Sequence, residues 1–343
     1  MVGAPGRRVS RAGFPHFAAR AGFLAGALLV GSQRTAEAAE TTFWVAPEFG
    51  VQAGVETYEL SLSIPQSDSS TLTAESKLSY PVETVMAGGG MGLTAGAFSV
   101  SALVLSNVVD PWGTMTDQDF ATLSAFGASQ RLEFSHTDSR TTLRALVLEG
   151  ALRYAFQPSE PGARPGFYGT AGLRYEGSHY EVFGASGWHL DSNANRAPTN
   201  IPDDVKGLEY DVHHFFPFVG AGTTYRSTGS FVVDAEARLI LSTSTHRDDH
   251  VLRRKLGEAN TIGVGGALVV EPAVVLGKGD VQPRLGVHGE IQWVTGVSGK
   301  LRQHYYEDDP TIDGDQLGVA IPDSDFSFTS LRARLLAFFA LGF

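Results

Sequence analysis

Several features that would fix a fold or a chemistry are missing from this chain of 343 residues. It has no cysteine, which excludes disulfides and a lipid anchor on an N-terminal cysteine. After residue 40 it has no apolar run of eighteen residues, so no membrane-spanning helix is predicted. It lacks the G-x-S-x-G motif of α/β-hydrolases and the H-E-x-x-H motif of zinc hydrolases. Neither a serine hydrolase of that fold nor a metal centre is therefore predicted.

Residues 1–38 have the three regions of a secretory signal peptide. A leader with four arginines is followed by the apolar run "AGFLAGALLVG" at 21–31 and the cleavage site "AEA" at 36–38. We predict cleavage after Ala38, which leaves residues 39–343 as one domain. Removing the five arginines and one glutamate of residues 1–38 from the 26 basic and 37 acidic residues of the chain gives a net charge of −15. This charge argues against nucleic-acid partners and for cationic ones.

The rest of the chain alternates apolar and polar residues with the period of two that is typical of β-strands. The pattern is clear in 231–246 and 281–297. A sheet with one apolar face fits either a soluble sandwich or a membrane barrel. Several runs reach fifteen residues or more, against about 5–6 in a usual strand. The chain also ends in "LRARLLAFFALGF", which is similar to the C-terminal strand signal of Gram-negative outer-membrane barrels. The barrel is therefore favoured.

The turn signals predict ten strands. Short turns are predicted near 94–97, 157–166, 226–230 and 276–280. Longer polar connections are predicted near 64–74, 108–138, 186–206, 247–257 and 300–325. This order predicts an all-β fold, a ten-stranded antiparallel transmembrane β-barrel with long extracellular loops. Ten strands leave a lumen largely filled by side chains, whereas open pores need roughly 16–18 strands. A general porin is excluded on this ground, and a surface enzyme, a binding barrel and a structural barrel remain.

Two polar pairs fall at the predicted rim of this barrel. Asp117 and Asp119 occur in "WGTMTDQDF", which the pattern places in the second long loop. Asp248 and His250 continue the lumen-facing parity of the seventh strand. Residues i and i+2 of an extended chain point to the same side, so each pair converges. A histidine can take a proton from water while carboxylates orient that water and stabilise the imidazolium. Solvated surface acid and oxygen ligands for Ca²⁺ are the competing interpretations.

These motifs resemble those of the omptins, outer-membrane endopeptidases of Gram-negative bacteria. "TMTDQDF" and "RDDH" occur in the family's order, with Asp117 and Asp248 131 positions apart. Three further segments are similar to strands two, five and six of the family: "SKLSY" (76–80), "GLRYEGSHY" (172–180) and "FPFVGAGTTYR" (216–226). The chain also ends on an aromatic residue, Phe343, as the family does.

The resemblance implies peptide-bond hydrolysis by an activated water, with no acyl-enzyme, no metal and no other cofactor. His250 matches the family's general base and Asp248 its orienting partner, while Asp117 and Asp119 match the couple that positions the water. The resemblance also implies a location in the outer membrane of a Gram-negative bacterium, with the active site facing outside. Peptide or protein substrates are expected, and lipopolysaccharide is a candidate activator.

The family's specificity pocket receives a basic side chain through two acidic residues. Those two positions fall at Tyr58 and His246 here, with Glu56 nearby on the same face as Tyr58. The acidic chain is still expected to attract cationic peptides at long range. The choice of the residue that precedes the cut is expected to be relaxed or shifted.

The family's lipopolysaccharide clamp falls at Tyr175, Gly177, His179 and His213 in this chain. Glycine supplies no charge-assisted contact to phosphate, so a weaker dependence on lipopolysaccharide is expected. The alternative function is a catalytically silent outer-membrane barrel that binds peptides, cations or host surfaces through its loops. Convergence of the four catalytic candidates around a water-sized gap would discriminate between the two hypotheses.

Overall fold

The structure is a computed structural model that describes residues 41–65, 70–125, 128–277, 281–308, 317–318 and 321–343. The signal peptide predicted for 1–38 lies outside the described residues. The strands are β1 (Thr41–Pro65), β2 (Thr71–Pro81), β3 (Thr84–Ala95), β4 (Phe98–Asn107), β5 (Thr114–Ala125), β6 (Ala128–Gln157), β7 (Gly166–Leu190), β8 (Arg196–Arg226), β9 (Phe231–His250), β10 (Lys255–Val275), β11 (Gln282–Tyr305) and β12 (Ser324–Gly342). A 3-10 turn at Val251–Arg253 separates β9 from β10. In the described part of the chain, no helix is long and apolar enough to cross a membrane.

These strands close into an antiparallel ring of ten positions, because two positions are each shared by two shorter strands. The first half of β1 pairs with β3 and its second half with β2. In the same way the first half of β6 pairs with β5 and its second half with β4. The remaining strands follow in chain order, and β12 pairs with β1 to close the ring. The predicted ten-stranded antiparallel barrel is confirmed.

Two breaks divide the shared positions, one after Pro81 and one around Pro111. Proline has no N–H to donate, so it interrupts the ladder of a paired strand. Side chains cover the gap that the second break leaves beside β6. The Asn107 amide donates to the Leu143 carbonyl oxygen at 2.7 Å, and Asp110 Oδ1 accepts from the Leu143 N–H at 3.1 Å. The backbone groups of β6 therefore keep hydrogen-bond partners across the break. Beyond the break, β5 continues the same ring position toward the rim.

The strands run further toward the rim than the polarity of the sequence predicts. Residues 114–125 form β5, although the sequence places a loop over 108–138. Similarly, β7 continues to Leu190 and β8 begins at Arg196, inside the loop predicted at 186–206. Pairing with two neighbouring strands satisfies the backbone whatever the polarity of the side chains. The loop boundaries were therefore wrong, and the first acidic pair lies on a strand.

Exposed apolar side chains form a band around the outer face, called the apolar belt here. It includes Phe49, Val51, Met91, Leu93, Val100, Val104, Leu148, Leu152, Leu173, Val219, Leu239, Leu241, Leu268, Val270, Leu285, Ile291, Leu331 and Leu335. The belt occupies the part of each long strand nearest the chain termini. Toward the other end of β9 the outer face becomes polar, with threonine at 243 and 245 and then Arg247 and Asp249. The far ends of the strands therefore stand clear of the belt.

Charged side chains fill the lumen at the level of the belt, and this set is called the lumen ion network. Its members are Glu56, Glu149, Arg174, Glu176, Arg238, Glu290, Arg332 and Arg334. Arg174 donates to Glu149 at 2.6 Å and to Glu290 at 2.6 Å, which links opposite walls. Buried charges are tolerated when they are paired and hydrogen-bonded. The four arginines and four glutamates of the network are paired with one another in this way, and their side chains fill the interior of the barrel.

An aromatic layer lies above the lumen ion network, two residues further along β1 and four residues further along β7 and β12. Its members are Tyr58, Tyr80, Tyr180, Tyr210, Phe326 and Phe328, all buried. On β1 the order toward the rim is Glu56 and then Tyr58, and on β9 His246 is followed by Asp248 and His250. The rings pack directly, with 4.7 Å between the centroids of Tyr58 and Tyr210. This layer forms the floor beneath the rim residues.

Candidate active site

Asp117 and Asp119 lie on the inner face of β5, above the aromatic layer. In the β2–β5 register, Asp117 pairs with Leu78 and Asp119 with Ser76. Leu78 pairs in turn with Tyr58 of β1, which is buried in the aromatic layer. Directly paired residues share a face of the sheet. Both carboxylates therefore point into the mouth of the barrel, as the i, i+2 spacing predicts.

Ser76 joins the two aspartates from the neighbouring strand. Its Oγ donates to Asp117 Oδ1 at 3.3 Å, and its side chain also hydrogen-bonds Asp119. Ser76 stands in "SKLSY", a segment that is similar to strand two of the omptins but that by itself indicates no role for the serine. The pairing of β2 with β5 could have revealed it, but that pairing depends on a strand where a loop was predicted. Ser76 is therefore a site residue that sequence reasoning missed.

The second pair is a hydrogen-bonded couple at the end of β9. His250 Nε2 lies 3.0 Å from Asp248 Oδ2. Asp248 is 6% exposed, and its other oxygen, Oδ1, has no protein partner among the described residues. With Nε2–H donating to Asp248, Nδ1 of the imidazole is left free to accept a proton. This is the orientation that a general base requires.

The two pairs face each other across the mouth, because β5 occupies the third of the ten ring positions and β9 the seventh. Burial, and then the charge of Asp119, raise the pKa of Asp117 to about 7, while His250 opposes the rise. Burial also raises the pKa of Asp119, against the Ser76 hydrogen bond and the charge of His250. His250 is therefore close enough to both carboxylates to influence them electrostatically, and the four candidates lie at the same mouth of the barrel.

Lys255 places a cation in the same site. It begins β10 opposite His250 and is 9% exposed. Its charge is among the influences that lower the pKa of Asp119. The sequence does not predict a role for this residue, because a lone lysine after a polar turn carries no recognisable signal. It reduces the net negative charge that three carboxylates would otherwise concentrate at the mouth.

Replacement of Ser76 by alanine is expected to lower kcat/KM by about tenfold, because a hydrogen bond to a charged group is worth about 1.5–3 kcal/mol and orients both carboxylates. Ser79→Ala is the matched control: it lies on the same strand but faces outward, 3.3 Å from the Thr57 hydroxyl. The measurement is kcat/KM of the wild type and of both variants on one peptide. An equal loss in the two variants would show that Ser76 has no special role.

The raised pKa of Asp117 predicts a pH-dependent stability. Between about pH 4, where an unfolded aspartate titrates, and pH 7, the folded chain keeps a proton that the unfolded chain releases. Stability therefore falls as pH rises through this range and levels off above it. Asp117→Asn is expected to raise the melting temperature most at pH 8, with a gain that vanishes toward pH 4. Thermal unfolding at both pH values checks this, and a larger gain at pH 4 would contradict it.

Tyr58 and His246 meet in the floor of the mouth, as the resemblance implies. Their ring centroids are 5.3 Å apart. His246 Nδ1 lies 2.6 Å from Tyr210 Oη, and Nε2 lies 3.1 Å from Thr261 Oγ1. Burial lowers the pKa of His246 well below its usual value. The imidazole is neutral, so the two pocket positions carry no charge.

Glu56 has a different place from the one expected of a substrate-binding residue. It lies one strand step deeper, is fully buried, and belongs to the lumen ion network. Its Oε1 is 3.0 Å from His214 Nε2, Ser330 donates to Oε2 at 3.2 Å, and Arg332 forms an ion pair with it. The expectation of Glu56 as a pocket acid is therefore corrected: its oxygens are already occupied by structural partners.

The four residues matched to the lipopolysaccharide clamp share the outer face of β7 and β8. Tyr175 Oη lies 2.7 Å from His213 Nδ1, and His179 Nδ1 lies 2.6 Å from Asp211 Oδ1. A Cβ on Gly177 would lie 2.5 Å from Tyr175 Oη. Gly177 thus gives the tyrosine room to reach His213. The outer wall holds internal hydrogen bonds here, and two of its titratable groups are the histidines His179 and His213.

The histidines of "HRDDH" have the spacing that binds zinc on a helix, but they lie on a strand. Four residues of strand separate side chains by about 13 Å, so His246 and His250 cannot share one ion. Within the described ranges there is no group of three or more His, Asp or Glu residues placed to hold a metal.

The comparisons with known proteins show the fold. The chain matches no family model, and no curated protein is significantly similar to it in sequence. Among solved structures, the outer membrane protease OmpT from Escherichia coli is similar, with a TM-score of 0.66 and 13% sequence identity. The match covers 88% of this chain and 97% of that chain. The protein thus has an omptin-like barrel fold.

Proposed function

We propose that this protein is an outer-membrane endopeptidase of the omptin type. The observation that carries the proposal is the meeting of Asp117 and Asp119 with the hydrogen-bonded couple of Asp248 and His250 at one mouth of the barrel. Two carboxylates beside a carboxylate–imidazole couple can activate water without a covalent intermediate. The likeness of the fold to that of an outer membrane protease supports the same conclusion.

The site geometry supports a simple sequence of proton transfers. Asp117 and Asp119, held by Ser76, orient a water between the two walls. As the water oxygen attacks the peptide carbonyl carbon, His250 Nδ1 takes one of its protons, and Asp248 stabilises the imidazolium through Nε2–H. His250 then returns that proton to the leaving amine nitrogen as the C–N bond breaks. The products are a carboxylate and an amine, and no group of the protein is changed.

The outer face supports a membrane location. The apolar belt surrounds the barrel on every ring position, and the site lies beyond it on the polar strand ends. A soluble protein rarely exposes an apolar patch larger than a few hundred Å², whereas an outer-membrane barrel requires such a band. We infer an outer membrane location, with the mouth that holds the four candidates facing outside.

The direct test is digestion of a mixed peptide library by the refolded chain, with new termini identified by mass spectrometry. The His250→Ala protein is the matched blank, and each digestion is run with and without a chelator. Cleavage by the wild type alone, unaffected by EDTA, supports the proposal. Loss of cleavage in EDTA would overturn the metal-free mechanism, and equal cleavage by both proteins would overturn the site.

A binding function without catalysis is the second candidate, and one cavity favours it. This cavity of about 460 Å³ lies beside Ser76, in the size range of ligand sites. It is lined by three ion pairs, Glu59–Lys77, Glu75–Arg131 and Lys300–Asp325. Peptide binding by the wild type with no cleavage of any library member would favour this function over the peptidase.

Activation by lipopolysaccharide is expected to be weak at pH 8 and stronger at pH 6. The hydrogen bond from His179 to Asp211 raises the pKa of His179 and so favours its imidazolium form. That form is fully populated only at low pH. A charged histidine can contact phosphate, and Gly177 cannot. Activity measured with and without lipopolysaccharide at both pH values tests this. His179→Ala should remove the difference, and an absolute requirement at pH 8 would place the lipid site elsewhere.

A further inference from the structure

A small cavity lies directly beneath Asp248, between the aromatic layer and the rim. Its lining residues are Tyr58, Leu60, Leu78, Tyr80, Tyr210, His246, Asp248, Leu301 and Phe326. Its volume is about 10 Å³, which is room for one water-sized group. The lining is mostly apolar, with four aromatic rings and three leucines. Asp248, the carboxylate that would hold the general base, is one of its walls.

Three polar atoms of this lining are buried and have no protein partner among the described residues: Tyr58 Oη, Tyr80 Oη and Asp248 Oδ1. Each tyrosine is 1% exposed. Buried polar groups in native proteins are nearly always hydrogen-bonded, so three such atoms around one cavity indicate that an ordered water or a ligand group occupies it. The other polar groups of the lining are satisfied, because Tyr210 and His246 bond each other at 2.6 Å.

The unpaired atoms define the chemistry of that ligand. Two phenol groups can donate, and one carboxylate oxygen can only accept. A hydroxyl can pair with both kinds of atom, since it accepts from a tyrosine O–H and donates to Asp248 Oδ1. Serine and threonine carry such a hydroxyl on a short side chain that suits the small volume.

The same lining disfavours a basic side chain. Asp248 is the cavity's sole carboxylate, and its other oxygen is bonded to His250 at 3.0 Å. Lysine and arginine are too long for the cavity, and a buried cation without its own counter-charge is costly. Burial keeps His246 neutral, so His246 supplies no charge that could balance a buried cation.

On the basis of the proposed peptidase function, we infer that this cavity is the pocket for a substrate side chain next to the cut bond, and that it selects serine or threonine over lysine and arginine. The acidic rim can still attract cationic peptides from a distance. Long-range attraction and pocket fit are separate effects, and the pocket decides where the chain is cut.

The test uses peptides that are identical except at one position, which is Ser, Thr, Ala, Lys or Arg. For the wild type, kcat/KM is expected to be about tenfold higher for Ser than for Lys or Arg. Ser is expected to exceed Ala by about three- to tenfold, the value of one hydrogen bond. Tyr58→Phe should reduce the Ser-to-Ala ratio toward one. Tyr180→Phe is the matched control, because its buried hydroxyl also lacks a partner but does not line the cavity.

A second measurement separates this inference from the proposed function. The same peptides are titrated against the His250→Ala protein, and the ratio of Kd values replaces the ratio of rates. A Ser preference in binding, with no cleavage by the wild type, supports the pocket and refutes the peptidase. Cleavage with equal rates for all peptides would mean that the cavity holds only water, and it overturns the pocket. A preference for Lys or Arg overturns it as well.

Discussion

Loss of His250 or Asp117 is expected to abolish most peptidase activity and to leave the barrel folded. His250→Ala removes the proposed general base, and a general base typically contributes 10²–10⁴-fold to a rate. Asp117→Ala removes one of the two carboxylates that Ser76 holds toward the water. Both residues lie beyond the apolar belt, so neither supports the part of the barrel that the lumen ion network fills. We expect kcat to fall by at least about a hundredfold in each variant.

Matched controls exist on the same two strands. Asp249→Asn changes a carboxylate next to the couple, but this side chain points outward and accepts from Tyr306 at 3.1 Å. Gln118→Ala changes the residue between the two aspartates, which bonds Glu133 at 3.1 Å on the opposite face. Both controls should stay within about threefold of the wild type. Circular dichroism and heat-dependent gel mobility confirm folding, and full activity of His250→Ala would contradict the mechanism.

Replacement of Glu56 by glutamine is expected to destabilise the barrel by about 3–5 kcal/mol, the cost of breaking a buried ion pair by removing one partner. The change removes one of the two carboxylates that pair with Arg332, the other being Glu176, and it disturbs the bond to His214 in a fully buried setting. Urea unfolding in lipid vesicles measures the free energy. Glu59→Gln is the control, since its pair with Lys77 spans 3.8 Å on the exposed outer face and should contribute only about 0–1 kcal/mol.

The Glu56 variant also decides between the two places that sequence and structure give this residue. A stable Glu56→Gln protein with an altered cleavage preference would restore Glu56 as the acid of the specificity pocket. A destabilised protein with an unchanged preference supports its place in the lumen ion network. The same experiment therefore tests the register of β1 against its neighbours.

Much of the fold follows from the period of two, because that period is imposed by one apolar and one polar face. The parity that places Asp248 and His250 on one face of β9 agrees with their hydrogen bond and with the burial of Asp248. The same parity holds for Asp117 and Asp119, although they were assigned to a loop. Parity is a local property of extended chain, so it survives an error in where the strand ends.

What the sequence could not supply is the identity of neighbours across the sheet and across the lumen. Ser76 reaches the aspartates only through the register of β2 with β5, which the break near Pro111 makes possible. Glu56 pairs with Arg332 at a separation of 276 positions, and no local pattern encodes that contact. The pocket beneath Asp248 depends on side chains from several strands. Such features arise from packing and not from periodicity.

The two pairs are proposed to form one hydrolytic centre, and a double-variant cycle measures whether they act as a unit. Asp117→Asn and His250→Gln are made singly and together, and kcat/KM is measured on one peptide. Residues that act as a unit are non-additive, so removal of the second costs little once the first is gone. We predict that the double variant keeps the rate of the slower single variant within about threefold. A loss equal to the product of the two single losses, or undiminished activity in either single variant, would contradict the account.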